Sequence, residues 1–157
     1  MVRNQIAIGV LLCAVAAFAQ VRPVQGTAGI FGRVHYCASL QGIDVYIYSD
    51  TSPVANLLRK MEDTKDTGHG SSLQALLDQY SQLLTLVKRT PPQAHTVTDS
   101  QGNFRFEKLP SRRSVVLLGV VDRKGEPAHY GYRITEELVP YNYNINLDLA
   151  DGEPCPK

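Results

Sequence analysis

The stretch HTVTDSQGNFRFEKLP, His95 to Pro110, constrains the fold more than any other part of the chain. Thr96, Val97 and Thr98 carry β-branched side chains suited to a half-buried pleated surface. Asp99-Ser100-Gln101-Gly102-Asn103 follows, with an Asp that bonds the backbone two residues on and a Gly that tolerates a positive φ. Phe104, Phe106 and Leu109 then alternate with Arg105, Glu107 and Lys108 until the spacing slips, and Pro110 stops the run. Period-two alternation across a Gly-containing turn predicts a hairpin of two adjacent strands, with Phe104 and Phe106 inward and Arg105 outward.

The run T-D-x-x-G-x-F-x-F-x-x-L-P, carried here by Thr98, Asp99, Gly102, Phe104, Phe106, Leu109 and Pro110, resembles the carboxypeptidase regulatory-like domain. The resemblance covers roughly residues 29–56 and 95–149, with an unrelated stretch between them. Gly32-Arg33-Val34 is similar to the opening strand of that family and Gly42-Ile43-Asp44-Val45 to the start of its second strand, whose lead-in is degraded here. The resemblance implies a seven-stranded, transthyretin-like Greek-key β-sandwich. It implies little about function, because the family is a scaffold attached to many activities.

Arg3 precedes an apolar run from Ile6 to Phe18, and Ala17-Phe18-Ala19 supplies a small-x-small cleavage pattern. The run is too short for a membrane span, so residues 1–19 read as a secretory signal peptide cleaved near Ala19. Residues 20–157 then form a single secreted or periplasmic domain with no transmembrane segment. Without Arg3 the basic and acidic side chains balance, which makes nucleic acid and anionic membranes poor partners. Cys13 sits in the apolar run behind Leu12, where a lipoprotein signal needs a small residue. The remaining pair, Cys37 and Cys155, reads as a disulfide in an oxidising compartment, against the alternative of two thiols.

Along the chain, residues 29–36 predict a first strand with Ile30, Val34 and Tyr36 on one face. In a second strand Ile43, Val45 and Ile47 alternate with Asp44, Tyr46 and Tyr48. The period then changes. Val54, Leu57, Leu58 and Met61 make a helical stripe behind Ser52 as cap and Pro53 at the first turn. Ser71 and Gln74 form a capping box for a second helix with Leu73, Leu76, Leu77, Tyr80, Leu83, Leu84 and Val87 on its apolar side, stopped by Pro91-Pro92. A helical hairpin over about residues 53–89 is therefore inserted between strands two and three. Val115 to Val121 is apolar without alternation, so it must be covered on both sides, and the hairpin is the spare apolar surface that covers the outer one. A strand over residues 129–138 and a last one from Tyr141 to Leu149, alternating with Asn142, Asn144, Asn146 and Asp148, complete the set.

No catalytic constellation stands out. His35, His69, His95 and His129 lack metal-ligand spacing, no G-x-S-x-G frames a serine, and no D-x-D-x-D-G loop supports calcium. No cofactor or metal is expected. His129 with Tyr130 and Tyr132 resembles the ligand set of intradiol ring-cleaving dioxygenases, but their downstream His-x-His is missing. The Tyr-Arg-Gly-Ser tail of hydroxyisourate hydrolases is absent, and so is the first-strand lysine of isopeptide-forming sandwiches. Asn142, Asn144 and Asn146 offer amides to sugar hydroxyls, with Tyr46 or Tyr48 as stacking platform; a merely solvated strand face is the plainer reading. The expectation is a non-enzymatic, exported accessory or binding module of bacterial type with a protein or glycan partner at the cell envelope. The competing readings are a metal-dependent enzyme on a transthyretin-like scaffold and a structural component of the envelope.

Overall fold

The structure, a computed structural model, describes residues 26–66, 73–125 and 128–152. The signal segment, Ser71, His69 and Cys155 lie outside the described residues. Along the chain come β1 (Thr27–His35), β2 (Asp44–Ser49), α1 (Pro53–Asp66), α2 (Leu73–Arg89), β3 (Ala94–Val97) and β4 (Asn103–Pro110). After them come β5 (Val115–Val121), β6 (His129–Ile134), β7 (Asn142–Asn144), β8 (Leu147–Asp148) and β9 (Asp151–Gly152). The smaller sheet has the order β4-β1-β7, with β8 also on β1; the larger has the order β3-β2-β5-β6-β9. This is a mainly β, two-sheet body carrying two helices between β2 and β3, with nine strands among the described residues where the resemblance implies seven.

Alternation builds the core. Ile30 and Val34 from β1, Phe104 and Phe106 from β4, Val45 and Ile47 from β2, and Val115, Leu117 and Val121 from β5 meet between the sheets. Every residue of β5 is buried. Its other face, Val116, Leu118 and Val120, packs with Tyr48 and Tyr130 against Val54, Leu58 and Met61 of α1 and Tyr80 and Leu83 of α2. The doubly apolar strand is thus covered on both sides, and the helical hairpin is the outer cover. Ser52 caps α1 by accepting a bond from Ala55 N at 3.1 Å, and Lys88 and Arg89 lie in the last turn of α2. Tyr80 donates its hydroxyl to Val121 O at 2.7 Å, tying the cover to the end of β5. Leu76 and Leu77, at the start of the same stripe, stay partly exposed.

The stretch from His95 to Pro110 departs from the predicted hairpin. Its turn closes as expected: Asp99 N donates to Asn103 O, Gly102 N to Asp99 O, and Gly102 has φ +82°. The strands beyond the turn separate, however. β3 pairs with β2 in the large sheet, while β4 pairs with β1 in the small one. The turn is an arch between layers, because β2 and β1 each capture one arm with a longer ladder than the two arms share. Thr98 anchors the foot of the arch. Buried, it accepts at Oγ1 from Ile43 N at 2.9 Å and donates from Oγ1 to Leu40 O.

The last predicted strand is also interrupted. β7 and β8 both run parallel to β1; between them Ile145 N still donates to Phe31 O at 2.9 Å, and the ladder breaks at Asn146. There Asn146 Oδ1 takes the bond from Arg33 N at 2.9 Å, so a side chain replaces a main-chain partner. Residues 145–149 form a strap that crosses Gly32 and Gly131. A Cβ at Gly32 would lie 1.8 Å from Ile145 O, and one at Gly131 would lie 2.1 Å from Asp148 O. Both positions exclude any side chain so that Leu147 and Leu149 reach the core. Tyr141, predicted on the inward face, is 68% exposed because the strand begins only at Asn142.

Candidate functional site

Since the helices cover the large sheet, the open sheet face is the outer side of the small one. Residues of β1 point there at every second position, Phe31, Arg33 and His35, all exposed. Phe31 lies opposite Arg105 on one side and Asn144 on the other, so one row across the sheet reads Arg105, Phe31, Asn144. Phe31 is 43% exposed at the centre of this face.

A depression of 740 Å³ lies over the face, with Phe31, Arg33, His35, Arg105, Asn144 and Asn146 on its floor and Thr96, Val97 and Asp99 on its rim. A smaller one of 140 Å³, reached by Asn142, adjoins it across Phe31 and Arg105. The three asparagines therefore do share an outward surface. Their expected aromatic partners do not join them. Tyr48 is 1% exposed beneath the helices, and Tyr46 is half-buried on the same side of the large sheet. The helical cover that the sequence places over β5 extends over the neighbouring β2, burying Tyr48 and half-burying Tyr46. Phe31 is the aromatic ring that stands exposed beside the asparagines. Its signal was masked by Ile30: two apolar residues side by side do not announce which one faces water.

The electrostatics of the two sides differ. Burial, with Tyr46 adding to it, pushes the Tyr48 hydroxyl up to about 12. Burial, then Asp44 and Asp122, raise Tyr46. His95 Nε2 lies 2.8 Å from Asp44 Oδ1, and its ring stacks on Tyr46 with centroids 4.6 Å apart, pinning the edge strand β3 to β2. On the open face, the Asp99 carboxylate accepts from Gln101 N, Asn103 N and the Asn103 amide, and these bonds, that of the Asn103 side chain foremost, hold its pKa below the ordinary carboxylate value. Arg33 donates from Nε to Gln101 O at 2.7 Å. Arg105 Nε pairs with Glu107 at 2.8 Å.

The fold-motif residues act as a scaffold for this face. Thr98, Asp99 and Gly102 shape the arch, Phe104, Phe106 and Leu109 fill the core, and Pro110 ends β4. The set compared with intradiol dioxygenases does not assemble. His129 is 1% exposed and edge-on to Tyr36, while Tyr130 stacks on Tyr80 in the helix layer. Among the described residues no three His, Cys, Asp or Glu side chains converge, and no helix is long and apolar enough to cross a membrane.

The fold and site define a two-layer β-sandwich armoured by helices on one side and open on the other. No family model matches the chain, and no curated protein does. Among solved structures it is similar to the SpaB basal pilin from Lactobacillus rhamnosus GG, with TM-score 0.39 and 15% identity over 78% of this chain and 94% of that one. It is also similar to the shaft pilin SpaA of the same organism, with TM-score 0.36 and 13% identity over 79% of this chain and 48% of that one. Likeness at this level carries neither partner nor activity over to this chain.

Proposed function

We propose that the chain is an exported, non-enzymatic accessory module that holds a glycan of the cell envelope on the open face of the small sheet. One observation carries the reading: Phe31 stands exposed at the centre of that sheet, between Arg105 and Asn144, over a 740 Å³ depression. A flat apolar ring flanked by amides and a guanidinium suits a sugar, which offers one C–H face and a rim of hydroxyls. Residues 1–19 serve as the export signal and residues 20–157 as the module, which keeps the carboxypeptidase regulatory-like resemblance as its nearest family reading.

The test is a panel of envelope oligosaccharides and a pull-down against envelope extract, using the mature chain and its Phe31→Ala and Tyr46→Ala variants. Saccharide binding that Phe31→Ala abolishes and Tyr46→Ala leaves intact supports the reading. Capture that is indifferent to Phe31 overturns it.

A further inference from the structure

We infer that the ligand on this face is acidic, a uronate-type saccharide whose carboxylate is received by Arg33. This rests on the binding reading above and names the chemistry of its ligand. Two acceptors of the groove, on Asn146 and Asp99, are engaged within the protein, whereas the outer end of the Arg33 guanidinium is not. Asn146 gives its amide oxygen to Arg33 N at 2.9 Å, so the end of that amide left for a ligand is the donating NH₂. The Asp99 oxygens accept from Gln101 and Asn103 within the arch, and the Arg33 charge acts on this carboxylate across the same depression. Arg33 is fixed at Nε by Gln101 O at 2.7 Å, and its two terminal nitrogens make no hydrogen bond among the described residues. Holding the guanidinium by its inner nitrogen leaves the outer pair as a preset fork, the geometry that matches a carboxylate in two parallel bonds.

Arg105, beside Phe31 on the same face, is paired with Glu107. Phe31 lies two residues from Arg33 on the same side of β1, about 7 Å along the strand, so one sugar stacks while the carboxylate of that sugar or its neighbour meets the fork. An acidic peptide would also satisfy the fork, and polyglutamate is the probe that tests this rival.

The experiment compares three probes on the mature chain by titration calorimetry: an oligouronate, the same oligosaccharide with its carboxylates reduced to alcohols, and a polyglutamate of similar charge. The oligouronate is expected to bind at least about 10-fold tighter than its reduced form, since a charge-assisted bidentate contact typically amounts to that much or more. Its affinity should fall as salt rises, and Arg33→Gln should bring both saccharides to the same level. Circular dichroism of Arg33→Gln and retained weak binding of the reduced saccharide show that the variant is folded. Equal binding of acidic and reduced forms overturns this inference and leaves the glycan reading standing. Polyglutamate bound as tightly, with the same Arg33 dependence, overturns it in favour of an acidic protein partner. Binding of none of the three overturns the glycan reading itself.

Discussion

Gly131→Ala tests whether the strap over the sandwich is as close as the structure has it. The added Cβ would stand 2.1 Å from Asp148 O and 2.8 Å from Asp148 C, where ordinary contact begins at 3.4 Å. Backbone rather than a flexible side chain is in the way, so the strap must retreat by roughly 1.3 Å or the strand must bend by as much. Retreat draws Leu147 and Leu149, both buried, part of the way out of the core. Overpacking of this kind costs about 1–3 kcal/mol, and partial exposure of two leucines adds a similar amount, so about 3 kcal/mol is expected. At about 3 °C per kcal/mol for a chain of this size, thermal unfolding followed by circular dichroism should drop by about 10 °C. Gly125→Ala is the comparison. There φ is +84° and nothing lies within 4 Å, so the cost is backbone strain alone, about 1 kcal/mol. Gly32→Ala should behave like Gly131→Ala, since Ile145 O is 1.8 Å from its Cβ, and the two together should cost less than their sum because they displace the same strap. A Gly131→Ala loss no larger than that of Gly125→Ala refutes the reasoning.

Three further outcomes are expected. Leu83→Ala, in the middle of the helical cover and fully buried, should lose about 2–5 kcal/mol in urea unfolding, and Tyr80→Phe about 1 kcal/mol for the bond to Val121 O; a surface-like loss for Leu83→Ala would mean the cover is not docked. Asp99 has a folded pKa below its unfolded one, so its contribution is present above the ordinary carboxylate range and is lost as pH falls through the folded value. Stability of the parent should therefore fall more steeply than that of Asp99→Asn in acid titrations, and parallel curves would sink the assignment. Finally, Cys37 is proposed to pair with Cys155: the described chain ends at Gly152, beside His129, whose ring lies against Tyr36, the neighbour of Cys37. Peptide mapping of the unreduced mature protein should recover the two cysteines cross-linked, and alkylation of both without reductant would refute it.

Much of this fold was legible in the residues. The unbroken apolar run at β5 called for covers on both sides, and the 3.6-residue stripe of α1 and α2 supplied the outer one. Two things were not legible. Alternation reports that a segment is extended, not which neighbour it pairs with, so the arms of the arch at Asp99–Gly102 read as one hairpin although they serve different sheets. The close passage of the strap over Gly32 and Gly131 joins residues far apart in sequence and leaves only two unremarkable glycines as its trace. The burial of Tyr48 has a cause the sequence did contain: a cover over β5 is wide enough to reach the adjacent strand, which hides Tyr48 and half-buries Tyr46.

The parallel pairing of β1 with β7 and β8 also has a mechanical meaning. The first and last thirds of the described chain lie side by side and run the same way, so tension applied between the two ends slides the strands along one another. Sliding strains every rung of the ladder at once, whereas peeling an antiparallel edge such as β4 breaks rungs one by one.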